Sequence, residues 1–242
     1  MRTLTYAKRC AKEILRDPLN IAFGLGFPIV VLLLLSAIQS NVPVDLFRIE
    51  RLTPGVTVFG LSFITLFSAT LISRDKESAL LQRLFTTPMR SVDFLLGYML
   101  PLIPIAAAQC VACYIAALIL GLQPSINILY ALIMVLPISL FYISLGLLCG
   151  SLLNVKQVGG LCGALLTNLS AWLSGVWFDI ELLGEPITKI ARLLPFIHAV
   201  ELERKMLSGI TDGIIENLVF VLAYSLIICI LAVITFLRQM KK

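Results

Sequence analysis

The sequence contains few charged residues and a single histidine, and both shortages exclude some classes of protein. Asp, Glu, Lys and Arg make up 14% of its 242 residues, and none of them occurs between Phe94 and Val155. Soluble domains carry about 25% charged residues. Hydrophobic residues reach 59% and the mean hydropathy is +0.99. The chain is too apolar for a water-soluble core and is predicted to be an integral membrane protein.

Common catalytic motifs are absent as well. The lack of any Gly-Lys dipeptide excludes a Walker A loop, and neither Gly-x-Ser-x-Gly nor His-Glu-x-x-His occurs. The only histidine, His198, follows Pro195 and Phe196, as is typical of a packed or interfacial residue. Cys110 and Cys113 have no second pair or neighbouring histidine, which favours small hydrophobic side chains over metal or redox chemistry. We therefore predict no catalytic, metal-binding or cofactor-binding residue in this chain.

Six apolar segments are long enough to cross a membrane, for which about 20 residues are needed. They are predicted at residues 19–39, 54–73, 94–120, 126–151, 158–178 and 215–237. They leave no room for a soluble catalytic domain, so residues 1–242 are interpreted as one membrane domain. The first run exceeds the 7–15 residues typical of a signal-peptide core, so it is predicted to be a true span.

The distribution of Lys and Arg predicts the orientation of these spans. With six spans both termini lie on one side, and that side carries 13 of the 19 basic residues. We therefore expect a multi-pass protein of the cell membrane with both termini in the cytoplasm. The net charge of +5 is explained by this asymmetry, and nucleic-acid binding is not needed to account for it.

An amphipathic helix is predicted at residues 2–17, within the N-terminal segment 1–18. Its apolar side carries Leu4, Ala7, Ala11, Ile14, Leu15 and Pro18, and its polar side carries Thr5, Lys8, Arg9, Lys12, Glu13 and Arg16. Such a helix lies in the membrane interface with its basic face toward anionic lipid. Contact with a cytoplasmic partner is a second interpretation.

A charged island, Arg74 to Asp93, separates the second and third predicted spans. An apolar stripe at helical spacing is formed by Leu80, Leu81, Leu84 and Phe85. Pro88 ends this helix, and Ser91 caps the next one. The island is therefore predicted to be a short helix with defined ends. A solvated loop is the alternative, but it does not explain the stripe.

Two short amphipathic helices are predicted in the outer segment 179–214, where they lie in or dip into the outer leaflet. The first contains Ile187 and Leu194 and is broken by Pro195; the second runs from Ala199 to Leu207. Within the spans, residues 146 and 150, and again 159 and 163, form Gly-x-x-x-Gly patterns that are typical of close helix packing.

The predicted spans contain no Asp, Lys, Arg or His, and their one Glu, Glu216, is the second residue of span six, which counts against proton coupling. A sodium site of carbonyls and hydroxyls is left open. A transport path would be apolar and lined by hydroxyl and amide groups, chosen from Thr57, Ser62, Thr65, Ser68, Ser139, Ser144, Thr167, Asn168, Ser170 and Ser174. Such a path suits a lipophilic or amphipathic cargo better than an ion. In the alternative interpretation these hydroxyls bond to their own backbone.

Several short motifs carry a resemblance to a known family. They are Leu52-Thr-Pro54-Gly55, Arg74-Asp-Lys-Glu77 followed by Leu81-Gln-Arg83-Leu84 and Thr87-Pro88, then Leu96-Gly97-Tyr98, and Leu193-Leu-Pro195 with Ala199-x-Glu201. In their order and spacing the chain resembles the membrane permease subunit of ABC-2 type ABC transporters over nearly its full length. The drug-and-lipid exporter branch is more similar than the polysaccharide branch.

This resemblance implies an all-α fold of six spans and a dimer of such subunits, carried by two separate ATP-binding-cassette subunits that hold ATP and magnesium. It implies a coupling helix between spans two and three that contacts the ATPase through Glu77, Leu80, Leu81, Arg83 and Leu84. It also implies a connecting helix at 2–17 and re-entrant outer helices before span six. Two departures stand out: the family's Arg-Glu-x-Gly is Arg74-Asp-Lys-Glu77-Ser78 here, and Tyr98 occupies a position that is often basic.

The function expected from this resemblance is export of a hydrophobic or amphipathic compound, such as a drug, a lipid or a peptide-like molecule. Energy would come from the separate ATPase, so the chain itself is not expected to be an enzyme. A homodimer and a heterodimer of permeases are equally compatible. The alternatives are a secondary carrier or channel without an ATPase partner, and a non-transporting membrane anchor or sensor.

Overall fold

The structure, a computed structural model, describes residues 2–18, 22–42, 47–78 and 91–240. Within these ranges the regular structure is helical, and none of the described residues lies in a strand. The all-α class predicted from the sequence is therefore confirmed.

Ten α-helices follow one another along the described ranges. The first half of the chain forms α1 Arg2–Leu15, a π-helical turn Ala22–Gly26, α2 Phe27–Gln39, α3 Ile49–Glu77, α4 Ser91–Ile119 and α5 Ile126–Leu152. The second half forms α6 Val155–Val158, a π-helical stretch Gly159–Leu166, α7 Thr167–Leu173, a 3₁₀ turn Ile180–Leu183, α8 Glu185–Arg192, α9 Pro195–Ser208 and α10 Ile214–Met240.

Five helical segments of the described chain are long and apolar enough to cross a membrane. They are Ala22–Gln39, Ile49–Glu77, Asp93–Ile119, Ile126–Leu152 and Ile214–Arg238. They correspond to predicted spans one, two, three, four and six, and they make the chain a multi-pass membrane protein. The second begins earlier than the predicted residue 54, because the amide of Arg51 already bonds to the carbonyl of Arg48. Pro54 therefore lies inside the helix rather than at its start.

The predicted span 158–178 is helical but is not one of those five. Its helical part runs from Val155 to Leu173 and includes the π-helical stretch. The three glycines of that stretch and the following Asn168 lower the hydropathy of the segment. At one end the Val155 amide donates to Glu77, and at the other the Gly175 carbonyl accepts from Arg204. The segment therefore connects opposite ends of the bundle. The count of six spans stays a prediction.

Helix α3 is the centre of the bundle. In its most apolar stretch 89% of the residues are buried, against 17% for the first and last spans. The pattern at Gly146 and Gly150 lets α5 approach α3 closely: a Cβ at these positions would lie 2.6 Å from the carbonyl oxygen of Thr65 and 2.7 Å from that of Ala69. Gly159 has open space around it, so the second Gly-x-x-x-Gly pattern serves no such approach within the described ranges.

The bundle has two distinct ends. At the end that we call the α1 end, α1 packs on the start of α4, and Phe94 of α4 contacts Phe236 of α10 with ring centroids 6.4 Å apart. At the opposite end α9 packs against α3, α5 and α10. The two short helices predicted in the outer segment are present as α8 and α9. Their depth in the outer leaflet stays a prediction.

Candidate functional site

A buried carboxylate joins three helices at the α1 end. Asp75 lies in the last turn of α3 and is 2% exposed. Arg9 of α1 donates to both of its oxygens, from Nη1 at 2.8 Å and from Nη2 at 2.6 Å. The hydroxyls of Tyr6 and Tyr98 donate to Oδ2 at 3.1 and 2.8 Å. We call these four residues, which link α1, α3 and α4, the Asp75 cluster.

In the Asp75 cluster the buried carboxylate is paired with a guanidinium group, and both of its oxygens accept hydrogen bonds. A two-pronged guanidinium–carboxylate contact is among the strongest polar contacts in proteins. The hydrogen bond to Asp75 raises the pKa of Arg9, and burial raises the pKa of Tyr6. Arg9 also contacts Glu13 at 2.8 Å, one helical turn further along α1. Removing one partner would leave the other charge buried and unpaired, which makes this contact a strong structural constraint.

The packing of α1 differs from the predicted pattern. Its protein-facing side consists of Tyr6, Ala7, Cys10 and Ile14, whereas Leu4 and Leu15 are 59% exposed. The Tyr6 ring meets the Phe94 and Tyr98 rings edge to face, and a Cβ at Gly97 would collide with it. The helix is therefore docked on α4 as well as being amphipathic.

The last two residues of α3 hold the turn between α5 and α6. The ammonium group of Lys76 donates to the carbonyls of Ser151 at 3.0 Å and Leu153 at 2.8 Å, which are left without helical partners where α5 ends. The carboxylate of Glu77 accepts from the amide of Val155 at 2.9 Å. Glu77, which was predicted to contact the ATPase, is exposed and also anchors the start of α6.

The other predicted coupling residues, Leu80, Leu81, Arg83 and Leu84, lie outside the described residues, as does the predicted coupling helix. The structure describes the two helices that flank this segment. Helix α3 ends at Glu77, two residues after Asp75, and α4 begins at Ser91, seven residues before Tyr98. The two helices that flank the segment 79–90 are therefore joined to each other through the Asp75 cluster.

Five of the predicted path residues donate hydrogen bonds to backbone carbonyls. Thr57, Ser139, Asn168 and Ser170 donate within their own helical segment, and Thr65 of α3 donates to the Tyr142 carbonyl of α5 at 2.8 Å. All except Asn168 are buried. These bonds match the structural alternative considered for the hydroxyls, and their part in a transport path stays a prediction.

An aromatic band that sequence reasoning missed runs between the first two spans. Neighbouring ring centroids lie 5.3 to 6.3 Å apart along the series Phe23, Phe27, Phe63, Phe59 and Trp177. Phe23 and Phe27 are 48% and 39% exposed. The sequence contains a signal for this band: Phe23 and Phe27 in the first span, and Phe59 and Phe63 in the second, are each four residues apart. This spacing places both rings of a pair on the same face of their helix. The band thus extends along the bundle from Phe23 toward Trp177, and part of its aromatic surface is exposed.

The opposite end holds a buried carboxyl group. Glu203 of α9 is fully buried, and its Oε1 accepts from the Tyr114 hydroxyl at 2.8 Å. Its Oε2 has no hydrogen-bond partner within the described ranges. Burial raises the pKa of Glu203 to about 8. Glu203 lies outside the five long apolar helices, but α9 brings its carboxyl group into the bundle, at a position on the apolar stripe of Ala199 and Leu202.

Arg204 ties the same helix to two other parts of the opposite end. It donates to the carbonyls of Gly175 at 2.8 Å and Arg51 at 3.3 Å, and Arg51 forms an ion pair with Asp179. Burial, together with the neighbouring charge of Arg51, lowers the pKa of Arg204 to about 10. His198 of α9 lies between Asn217 and the carbonyl of Arg192, as expected of a packed residue. The start of α3 is thus linked to α9 and to Asp179.

A comparison with known protein families shows which family the chain resembles. The family model described as ABC-2 type transporter matches residues 1–207, from α1 to the last turn of α9. No curated protein matches the chain. The match covers most of the 242 residues and includes the Asp75 cluster. The chain therefore belongs to the ABC-2 type transporter family and is a membrane-spanning permease subunit of an ABC transporter.

Proposed function

We propose that this permease exports a hydrophobic or amphipathic compound, driven by ATP hydrolysis on a separate ATP-binding-cassette subunit that docks on the cytoplasmic α1 end. Two permease copies, identical or different, would enclose the path. The observation that carries the proposal is the Asp75 cluster. The cluster joins α1 to the end of α3 and to the first turns of α4. These two helices flank the segment 79–90, which is expected to contact the ATPase.

The contacts of α3 provide a route for the mechanical step. A push on the segment 79–90 would reach the last turn of α3, where Arg9 holds Asp75 and the α5–α6 turn holds Lys76. Because α3 is the most buried span, it would tilt together with its neighbours rather than slide past them. At its other end the carbonyl of Arg51 binds Arg204 of α9. A tilt of α3 would therefore also move the outer helices.

The aromatic band supports an apolar cargo. Phe23 and Phe27 expose ring surface next to the nearly covered Phe59 and Phe63, and Trp177 lies at the end of the series. Aromatic faces bind apolar groups and attract lipophilic cations through their ring quadrupoles. We propose that the band lines one side of the path, with the second permease copy forming the other side.

The experiment is affinity purification of the tagged chain in mild detergent, followed by mass spectrometry and an ATPase assay. We expect a stoichiometric ATP-binding-cassette subunit with the wild type, and its loss with Leu84→Asp. A matched control is Leu182→Asp, because Leu182 is 77% exposed in the 3₁₀ turn at the opposite end. A clean complex that contains no ATPase would overturn the proposal and favour a carrier or an anchor. Retention of the ATPase by Leu84→Asp would refute the placement of the coupling helix.

A further inference from the structure

A basic groove lies at the α1 end, between the polar side of α1 and the end of α3. Its volume is about 850 Å³. The cationic residues that line it are Lys8, Arg9, Lys12, Arg16 and Arg74. The acidic residues that line it are Glu13 and Asp17, and Asp75 also binds the lining residue Arg9, so the positive charges exceed the negative ones by two. An excess of this size favours an anionic ligand.

Two of the five cations that line the groove are already paired with carboxylates. Glu13 is paired with Arg9 at 2.8 Å, and Asp17 is paired with Arg74 at 3.2 Å. The remaining cations are Lys8, Lys12 and Arg16, which are exposed and form no ion pair with any residue of the described ranges. They follow one another at intervals of four residues and therefore form one row along α1. The groove thus presents three adjacent cations that no described carboxylate neutralises.

The surroundings of this row indicate which kind of anion fits. On the helical wheel Leu4 and Leu15, both 59% exposed, lie directly beside Lys8 and Lys12. Pro18 lines the end of the groove, four residues before the first span begins at Ala22. The groove therefore lies where the chain enters the bilayer, with apolar side chains next to cationic ones. This arrangement is typical of helices that place apolar residues among acyl chains and cations at phosphate depth.

We propose that the basic groove is a binding site for the phosphate headgroup of an anionic glycerophospholipid. Lys8, Lys12 and Arg16 would contact the headgroup, and Leu4 and Leu15 would contact its acyl chains. A free phosphate ion would leave those two leucines in water. An acidic protein segment would leave them uncovered as well unless it also supplied apolar residues. A bound lipid would brace α1, which carries Arg9 of the Asp75 cluster, against the end of α3.

The test is a titration of the detergent-purified full chain with dioleoyl phosphatidylglycerol, read by native mass spectrometry. Dioleoyl phosphatidylcholine and inorganic phosphate serve as comparison ligands. We expect the wild type to bind phosphatidylglycerol at least ~10-fold more tightly than phosphatidylcholine, and the triple variant Lys8→Gln, Lys12→Gln, Arg16→Gln to lose that preference. The control Lys156→Gln, Lys189→Gln, Lys205→Gln removes the same charge outside the groove and should keep it. Unchanged melting temperatures of both triple variants would exclude unfolding as the cause.

Three results would overturn the proposal. Equal binding of the two lipids by the wild type would mean that the groove does not select charge. Displacement of phosphatidylglycerol by an equal concentration of inorganic phosphate would identify a phosphate site without a lipid. Loss of the co-purified ATPase by the groove variant, with its lipid preference intact, would identify a protein-docking surface instead.

Discussion

Replacing Arg9 by glutamine should lower the free energy of unfolding by about 2–3 kcal/mol and uncouple ATP hydrolysis from transport. Breaking a buried ion pair costs about 3–5 kcal/mol because one charge is left without its partner. A loss at or below the bottom of this range, about 2–3 kcal/mol, is expected because the Arg9 side chain is 37% exposed, although Asp75 is 2% exposed. The measurement combines thermal unfolding in detergent with the ATPase and transport rates of the reconstituted complex.

A matched control and a rescue variant make this result specific. Arg192→Gln removes an exposed contact to Glu181 at 3.7 Å, and such surface pairs contribute only about 0–1 kcal/mol. The double variant Arg9→Met, Asp75→Asn leaves no buried charge and should regain most of the lost stability. A wild-type melting temperature for Arg9→Gln would contradict the account, and so would a double variant that is no more stable than the single one.

The stability of the wild-type protein should fall as the pH rises, through Glu203. Its pKa is raised from 4.5 to about 8 by burial, so between these values the folded chain holds a proton that the unfolded chain releases. The stabilising effect of that proton is complete below pH 4.5 and is lost as the pH rises to about 8. The expected slope is about −1.4 kcal/mol per pH unit. Melting temperatures measured at several pH values in this window check it.

Glu203→Gln should remove this slope while it keeps an oxygen that accepts from Tyr114. Its stability should match that of the wild type at low pH and exceed it near pH 8. The control Glu185→Gln neutralises a carboxylate that is 88% exposed and should leave the slope unchanged. If Glu203→Gln melts with the pH dependence of the wild type, the buried carboxyl is not the titrating group.

The spans were predictable because they depend on local composition. A run of apolar residues identifies a span without knowledge of its neighbours, and five predicted spans correspond to helices of sufficient length and hydropathy. Residues 158–178 were harder to judge, since glycines and Asn168 interrupt the apolar run and part of the helix is π-helical. The start of the second span was predicted at residue 54, whereas α3 begins at Ile49 and Pro54 lies within it.

The Asp75 cluster was not predictable from local patterns, because its members are far apart in the chain. Arg9 and Asp75 are separated by 66 positions, and the sequence shows Asp75 only as one charge among several in the charged island. Tyr98 was noted as part of the Leu96-Gly97-Tyr98 motif and because the family often has a basic residue there. The structure gives it a role, since its hydroxyl donates to Asp75 while the cation comes from α1. Glu203 was missed for a similar reason: its burial depends on how α9 packs between three other helices.

The measurement that tests the central claim most directly is transport in proteoliposomes that contain the permease and its ATPase partner. The cargo is a fluorescent lipophilic cation, and ATP is supplied outside, on the side of the ATPase. The account predicts ATP-dependent accumulation inside the vesicles with the wild type. It also predicts that Arg9→Gln abolishes accumulation while ATP hydrolysis continues. Accumulation without ATP would contradict ATP-driven transport. ATP-driven accumulation that Arg9→Gln leaves intact would contradict the claim that the Asp75 cluster transmits the motion of the ATPase to the spans.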